Sequence, residues 1–111
     1  MAFPAIQPDV AVIHALRCDP DGNAQIGKNK GIDLELPLSA KTVIITTEEI
    51  VPELAEADIF GPYVSAVVHA PGGAAPTSCH PIYPVDGEYM LAYTEQVNDP
   101  ESFSKFLNNF L

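Results

Sequence analysis

Two adjacent acids, Glu48 and Glu49, follow the most strand-like run of the sequence, residues 42–47. A carboxylate at the carboxyl end of a strand can act as a nucleophile or a general base when burial raises its pKa. Strongly perturbed carboxylates are rare, so two ordinary acids at a solvated strand exit are the alternative. We therefore keep Glu48 and Glu49 as candidates for catalysis without assigning a catalytic role to either.

A loop rich in glycine and proline, residues 69–81, follows the third apolar run of the chain. Gly72 and Gly73 permit positive φ angles and let another group approach the main chain closely. The prolines of the loop stiffen it and favour extended backbone before each of them. Ligands of open α/β sheets bind outside the carboxyl ends of the strands, so this loop is either a ligand-binding loop or a rigid connection between sheet and helix.

Other reactive side chains form no complete constellation. Residues 78–80 place a serine, a cysteine and a histidine side by side, whereas a nucleophile and its base normally meet across the fold. His14 and His69 lie inside apolar runs, which favours hydrogen-bonded core histidines, and without a third ligand we expect no metal site. Two lysines at positions 28 and 30 could meet a phosphate, although ordinary surface lysines are the simpler interpretation. Neither a Walker loop nor a dinucleotide-binding glycine motif is present.

The composition is that of a folded, acidic protein. Of the 111 residues, 47% are hydrophobic, and 15 acids against 5 bases give a formal net charge of −10. Nucleic acids and anionic membranes are excluded as partners because the chain has no basic patch to neutralise phosphates. Two cysteines are too few for a disulfide framework, and no segment resembles a secretory signal or a membrane span of ~20 apolar residues. We expect a single cytoplasmic domain over residues 1–111.

Three apolar runs, residues 10–16, 42–47 and 64–69, predict the strands of a parallel sheet. The first run is continuously apolar, as in a strand buried on both faces. A strong turn signal at residues 19–23 follows it, and residues 24–26 could return as a short antiparallel partner. The order of strand, short helix and strand indicates a βαβ unit. The predicted class is α/β, with a small, open, mostly parallel sheet and flanking helices.

Capping residues mark the predicted helices. Asp33 is expected to cap a short helix that ends at residue 39 or 40, and residues 49–57 could hold a short helical turn. Asp86 is expected to cap a helix that runs to about residue 97. Asp99 followed by Pro100 is a second helix start, since proline is favoured at the first helical position.

A sheet of this kind needs more cover than the chain supplies. Parallel sheets are covered on both faces and leave unpaired strands at both edges. The sequence offers only a few short helices for that purpose. We infer that the chain packs against a partner chain or against a copy of itself, and we expect a homo-oligomer if it stands alone.

Four segments in their order and spacing resemble the alpha subunits of family I coenzyme A (CoA) transferases. Three of them are PDVAVIHA at residues 8–15, DGNAQ at 21–25 and AKTVIITTEEIV at 40–51. The fourth, HAPGGAAPTSC at residues 69–79, narrows the resemblance to the branch similar to the A subunit of glutaconate CoA-transferase. The likeness extends from about residue 4 to about residue 97.

The resemblance implies an open α/β fold of the NagB/RpiA/CoA-transferase type. It implies a two-subunit enzyme that moves CoA between carboxylic acids through a glutamyl-CoA thioester, with CoA as substrate and no covalently bound cofactor. In two-subunit members the nucleophilic glutamate belongs to the other subunit, so that role is not carried over to Glu48 or Glu49. Gly72, Gly73 and Ser78 are the residues that we expect to contribute to the CoA-binding wall.

The resemblance also implies incompleteness. A full subunit is more than twice as long, and this chain resembles its C-terminal half only, so the expected partners are the missing N-terminal half and a beta subunit. The first hypothesis is therefore part of a CoA-transferase alpha subunit that acts only with its complement. The alternatives are a truncated, non-catalytic oligomerising domain and a component of a CoA-thioester hydrolase, because a relative in the same branch is a ring-opening hydrolase on steroid-derived CoA thioesters.

Overall fold

The computed structural model describes residues 4–110, with side chains through residue 109, and divides into two compact units between Gly73 and Ala74. The first unit contains a four-stranded sheet and a short helix, and the second contains two longer helices. Among the described residues, no helix combines the length and the apolar character needed to cross a membrane.

The sheet of the first unit is mixed but mostly parallel. Its strands are β1 (Val10–Cys18), β2 (Ala24–Gln25), β3 (Thr42–Ile50) and β4 (Ala66–His69), in the spatial order β2-β1-β3-β4. The pairs β1–β3 and β3–β4 are parallel, and β2 lies antiparallel to β1. The α/β class, the three parallel strands and the short antiparallel return are confirmed.

The strands form where β-branched and apolar residues alternate between two faces. Ile13 on β1 and Val43 and Ile45 on β3 are buried on one face, because successive side chains of a strand point in opposite directions. On the other face of β1, Val10 is 51% exposed and Val12 is 61% exposed. The prediction of a first strand buried on both faces is therefore wrong for the described residues.

The predicted turn after β1 is organised by Asp19, whose side chain is buried. One carboxylate oxygen accepts the amide groups of Asp21 and Asn23 at 3.0 Å each, and the other accepts the Asn23 side-chain amide at 2.9 Å and the Leu54 amide at 3.3 Å. Burial raises the pKa of Asp19, but these hydrogen bonds outweigh it and hold the pKa below its ordinary value. A single acid thus closes the turn.

Helix α1 (Leu36–Ser39) is shorter than predicted, and Asp33 does not cap it. Glu35 stands at the N-cap position without a side-chain hydrogen bond, and Pro37 lies in the first turn. Proline is tolerated there because the first amide groups of a helix have no partner within it. The helix therefore begins at Leu36, downstream of Asp33.

The short helical turn predicted within residues 49–57 is also wrong. Strand β3 continues through Glu49 and Ile50, which pair with Arg17 and Cys18 of β1. The Val51 amide then donates to the Cys18 carbonyl at 2.9 Å, and residues 51–58 contain no helix. Pairing with the long strand β1 overrides the weak local helix signal.

The second unit contains the predicted helices α2 (Gly87–Gln96) and α3 (Pro100–Phe110). Asp86 caps α2 by accepting the Tyr89 amide, and Asp99 accepts the Ser102 amide at the start of α3. The two helices contact each other through aromatic rings: Tyr89 and Phe106 have ring centroids 5.1 Å apart. Both predicted helix starts are confirmed.

Candidate functional site

The carboxyl ends of β1, β3 and β4 meet at one edge of the sheet because the three strands are parallel. His14 pairs with Thr46 across the β1–β3 ladder, and Thr47 pairs with His69 across the β3–β4 ladder. Glu48 follows Thr47 directly on β3 and therefore lies close to the carboxyl end of β4, while β1 and β3 continue to Cys18 and Ile50. This edge is where open α/β sheets bind their ligands.

Both carboxylate oxygens of Glu48 accept hydrogen bonds from other parts of the first unit. Oε1 lies 2.7 Å from His14 Nε2 on β1, and Oε2 accepts the Gly72 amide at 2.7 Å from the loop that follows β4. The Glu48 side chain is 7% exposed and that of His14 is 20% exposed. A nearly buried carboxylate therefore joins three segments that are distant in the sequence.

Both ring nitrogens of His14 have hydrogen-bond partners. At an ionised Glu48 carboxylate, which can only accept hydrogen bonds, His14 Nε2 is the donor. His14 Nδ1 lies 2.8 Å from the Thr46 hydroxyl oxygen, which also lies 3.5 Å from the Ile13 carbonyl oxygen. His14 is therefore hydrogen-bonded on both sides of its ring, as expected for a histidine inside an apolar strand, whereas the same prediction is wrong for His69, which is exposed.

The turn formed by residues 70–73, here called the glycine turn, needs both of its glycines. Gly72 has φ of +74°, a left-handed conformation that side chains with a Cβ disfavour. A Cβ on Gly73 would lie 2.8 Å from the Ala70 carbonyl oxygen and 2.8 Å from His14 Cε1. Gly72 is therefore required for its backbone angle, and Gly73 is required for space over the histidine ring.

The amide groups of the glycine turn are already used within the protein. The Gly72 amide donates to Glu48, the Gly73 amide donates to the Ala70 carbonyl at 2.9 Å, and the Ala70 amide donates to the Thr47 carbonyl at 2.8 Å. Two successive residues of β3, Thr47 and Glu48, are thereby bonded to the turn. A ligand at this turn would contact its Cα and carbonyl groups, unless Glu48 releases the Gly72 amide.

Glu49 has a different environment from its neighbour Glu48. Its carboxylate lies 2.9 Å from Arg17 Nε, and the two side chains are 57% and 58% exposed. Exposed ion pairs contribute about 0–1 kcal/mol, because water screens them and both side chains lose rotamer freedom. Successive strand residues point to opposite faces, which explains why only one of the two acids enters the site.

The remaining candidate residues take other roles or lie in the other unit. Ser78 and His80 are exposed in the second unit, so the first unit brings Glu48 together with Gly72 and Gly73 only. Lys30 pairs with Asp58, which also accepts the Ile26 amide at 2.9 Å. Burial raises the pKa of Asp58, but the bonds from Lys30 and the backbone amides hold it below its ordinary value. Lys30 is thus engaged in a structural contact.

Cys18 has no reactive character. Its side chain is buried, and burial together with the neighbouring Asp19 raises the pKa of its thiol to about 11. A thiol is nucleophilic only as the thiolate, so Cys18 is inert at neutral pH.

Sequence reasoning did not identify His14 and Thr46 as parts of one site with Glu48. The bonds of Glu48 span 34 residues to His14 and 24 residues to Gly72. The signal in the sequence was the presence of polar side chains within apolar strands, and it becomes specific only when the register of the ladder is known.

Comparisons with curated proteins identify relatives along the whole chain, although no family model matches it. The chain is 34% identical over 114 residues to the A subunit of 3-oxoadipate CoA-transferase from Pseudomonas knackmussii, covering 99% of this chain and 40% of the relative. It is 35% identical over 117 residues to the A subunit of glutaconate CoA-transferase from Acidaminococcus fermentans, covering 100% of this chain and 37% of the relative.

Solved structures give the same result for the fold. The crystal structure of glutaconate CoA-transferase from Acidaminococcus fermentans matches 96% of this chain with a TM-score of 0.88 and 36% identity, over 35% of that chain. A variant of the decarboxylase AibA/AibB matches 96% of this chain with a TM-score of 0.87 and 37% identity, over 40% of that chain. The resemblance and the fold class inferred from the sequence are confirmed, and the chain spans about two fifths of the length of the curated relatives first described.

Proposed function

The chain is related to the A subunits of CoA-transferases along its whole length, and from this premise we propose that it acts as part of such a subunit in CoA transfer between carboxylic acids. The observation that carries the proposal is this whole-chain likeness, 34–35% in sequence, together with a TM-score of 0.88 to a CoA-transferase. The substrates would be an acyl-CoA and a carboxylate. The partners would be the polypeptide that corresponds to the remainder of the relatives' length and a second, different subunit.

The geometry of the strand ends supports a contributing role in this chemistry. Attack of a carboxylate on a thioester requires a nucleophile, a site for the oxyanion and a groove for CoA. Glu48 already accepts bonds through both of its oxygens, and Glu49 is paired with Arg17 at the surface. The attacking carboxylate would therefore come from the partner subunit. This chain would contribute the glycine turn to the CoA-binding wall, and Ser78 of the second unit is a separate candidate for CoA binding.

A second candidate function is that of a decarboxylase component. The decarboxylase AibA/AibB is 37% identical to this chain, which is as close as the CoA-transferases are. The two reactions differ in their products, because decarboxylation releases CO₂, whereas transfer makes a new thioester without loss of carbon. A thioester hydrolase would instead release free CoA. Product analysis of one reaction mixture separates the three.

A chimeric enzyme tests the proposal. Residues 1–111 replace the matching segment in the larger relative, glutaconate CoA-transferase, and the chimera is purified with its partner subunit. We expect the new thioester to form when an acyl-CoA and glutaconate are supplied together. The matched control is the same enzyme with the segment deleted, which should lack activity because part of its sheet is absent.

The outcomes of the chimera experiment are distinct. Formation of glutaconyl-CoA supports the proposal, and release of CO₂ from an acyl-CoA supports the second candidate. A chimera that folds and assembles with its partner subunit, yet makes no thioester, contradicts the proposal. Folding is judged independently by circular dichroism, and assembly by the mass of the complex in light scattering.

A further inference from the structure

We propose that Glu48 is a positioning residue of this site: its carboxylate binds both His14 and the Gly72 amide and so fixes the glycine turn that follows β4. The role of that turn in CoA transfer rests on the proposed function, whereas these contacts of Glu48 are a property of this chain. In this role neither Glu48 nor His14 contacts a reacting atom.

Two donors converge on one nearly buried carboxylate. His14 Nε2 and the Gly72 amide each lie 2.7 Å from a different oxygen of Glu48. Hydrogen bonds to a charged acceptor are about twice as strong as neutral ones, and they are shorter. The arrangement suits an ionised group that holds others in place, because a nucleophile needs an oxygen that is available for attack.

The glycine turn, which Glu48 holds through the Gly72 amide, has little space in which to move. Gly73 lies against the His14 ring so closely that even a Cβ would meet Cε1 at 2.8 Å. The Thr46 hydroxyl lies 2.8 Å from Nδ1 of the same ring. Motion of the Glu48 carboxylate would therefore free the Gly72 amide and remove one support of the ring beneath Gly73. A displacement of about 1 Å at a site can cost a hundredfold in rate.

The position of the glycine turn links the contacts of Glu48 to ligand binding. The turn follows β4 at the carboxyl ends of the parallel strands, where a ligand of this fold binds. Glu49, the neighbour of Glu48, points to solvent and pairs with Arg17. Of two adjacent acids with equal charge, only Glu48 is placed to control the turn.

The first experiment uses the 111-residue chain and asks whether a carboxylate site exists at Glu48. Glu48→Ala removes the carboxylate and leaves its two donors, and sodium acetate supplies a small carboxylate in its place. Acetate at 0.1 M should raise the Tm of Glu48→Ala by roughly 5 °C relative to sodium chloride, or restore folding if the variant is unfolded. Wild type and Glu56→Ala, which changes an exposed acid of the same unit, should show no such difference.

The second experiment asks whether the Glu48 carboxylate affects the rate of CoA transfer. In the chimeric CoA-transferase, Glu48→Gln keeps the side-chain shape and loses the charge. We expect kcat to fall roughly tenfold with little change in KM, because the loss of an interaction that matters only in the transition state lowers kcat. Glu56→Gln removes the same charge at an exposed position and should retain the activity of the unmodified chimera. A merely structural role would lower Tm without changing kcat per folded enzyme.

The two proposals fail in different ways. Equal effects of acetate and chloride on Glu48→Ala overturn the positioning role, whatever the chimera does. Equal kcat for the Glu48→Gln and Glu56→Gln chimeras overturns its link to catalysis. An acetate-specific effect with an inactive chimera leaves Glu48 as the residue that holds the turn and contradicts the CoA-transferase function instead.

Discussion

Two buried carboxylates organise two turns of the first unit, and they do so over very different distances in sequence. Asp19 accepts three of its bonds from Asp21 and Asn23, at most four residues away. Glu48 joins His14 and Gly72, 34 and 24 residues away. Asp19 closes a turn formed by its own neighbours and adds one bond to the distant Leu54 amide, whereas both of these contacts of the Glu48 carboxylate reach distant segments.

The difference separates a structural acid from a positioning acid. Loss of the Asp19 carboxylate leaves several backbone donors without a partner, so the cost appears in the free energy of unfolding. Loss of the Glu48 carboxylate releases one amide of a loop and one histidine ring, so the main effect is expected on the geometry of the site.

Asp19→Ala should lower the free energy of unfolding by about 3 kcal/mol or more, because the amides of Asp21, Asn23 and Leu54 lose their acceptor. Urea denaturation followed by circular dichroism measures the change. The control is Asp21→Ala, which removes an exposed side chain and keeps the amide that donates to Asp19. Equal losses in the two variants would refute the structural role of Asp19.

Gly73→Ala should cost about 2 kcal/mol, because its Cβ would meet the Ala70 carbonyl and the His14 ring. Gly72→Ala should cost only about 1 kcal/mol, since its Cβ meets nothing within 4 Å and the penalty comes from a φ of +74°. Urea midpoints of the two variants give the order. If Gly72→Ala lost more unfolding free energy than Gly73→Ala, the close approach of residue 73 to the His14 ring would not be the reason for its glycine.

Acid should destabilise the chain partly through Asp19 and Asp58. Hydrogen bonds hold the pKa of both carboxyl groups below its ordinary value despite burial. A carboxyl group with a lowered folded-state pKa contributes stability above its unfolded value, about 3.9, and loses it as the pH falls through the folded value. The urea midpoint of wild type should therefore decrease below about pH 4 more steeply than that of Asp19→Asn. Parallel curves would contradict this assignment.

The smallest effect is expected at the exposed acid beside the site. Glu49→Gln breaks the ion pair between Glu49 and Arg17. Both side chains are more than half exposed, so the free energy of unfolding should change by less than about 0.5 kcal/mol. A double-mutant cycle with Arg17→Ala measures the coupling of the pair. A coupling energy above about 1 kcal/mol would contradict the view that the exposed contact of Glu49, unlike those of Glu48, contributes little.

Features set by local chemistry could be predicted from the sequence. The turn at residues 19–23 is made by aspartate, proline, glycine and asparagine in positions that suit it. Asp86 and Asp99 each accept an amide three residues ahead, which is the usual geometry of a helix N-cap. A continuous apolar run identified β1, and a run of β-branched residues identified β3, because such side chains fit a pleated, half-buried surface.

Features set by contacts between distant segments could not be predicted in this way. The register of β1 with β3 determines that His14 faces Thr46 and that Glu49 continues the strand rather than beginning a helix. The position of Pro37 moved the start of α1 beyond the reach of Asp33. Successive side chains of β3 point to opposite faces of the sheet, and only the structure shows that the face of Glu48 is the one that contacts the glycine turn. The sequence around the two acids does not distinguish them.

Amide hydrogen exchange at Gly72 reports directly on the role of Glu48, because the Gly72 amide donates to the Glu48 carboxylate. We predict that Glu48→Ala speeds this exchange at least roughly tenfold relative to wild type, while the Asn23 amide bound to Asp19 keeps its rate. Acetate should slow the Gly72 exchange of the variant again. Equal exchange at Gly72 in wild type and Glu48→Ala would contradict the claim that this carboxylate positions the turn.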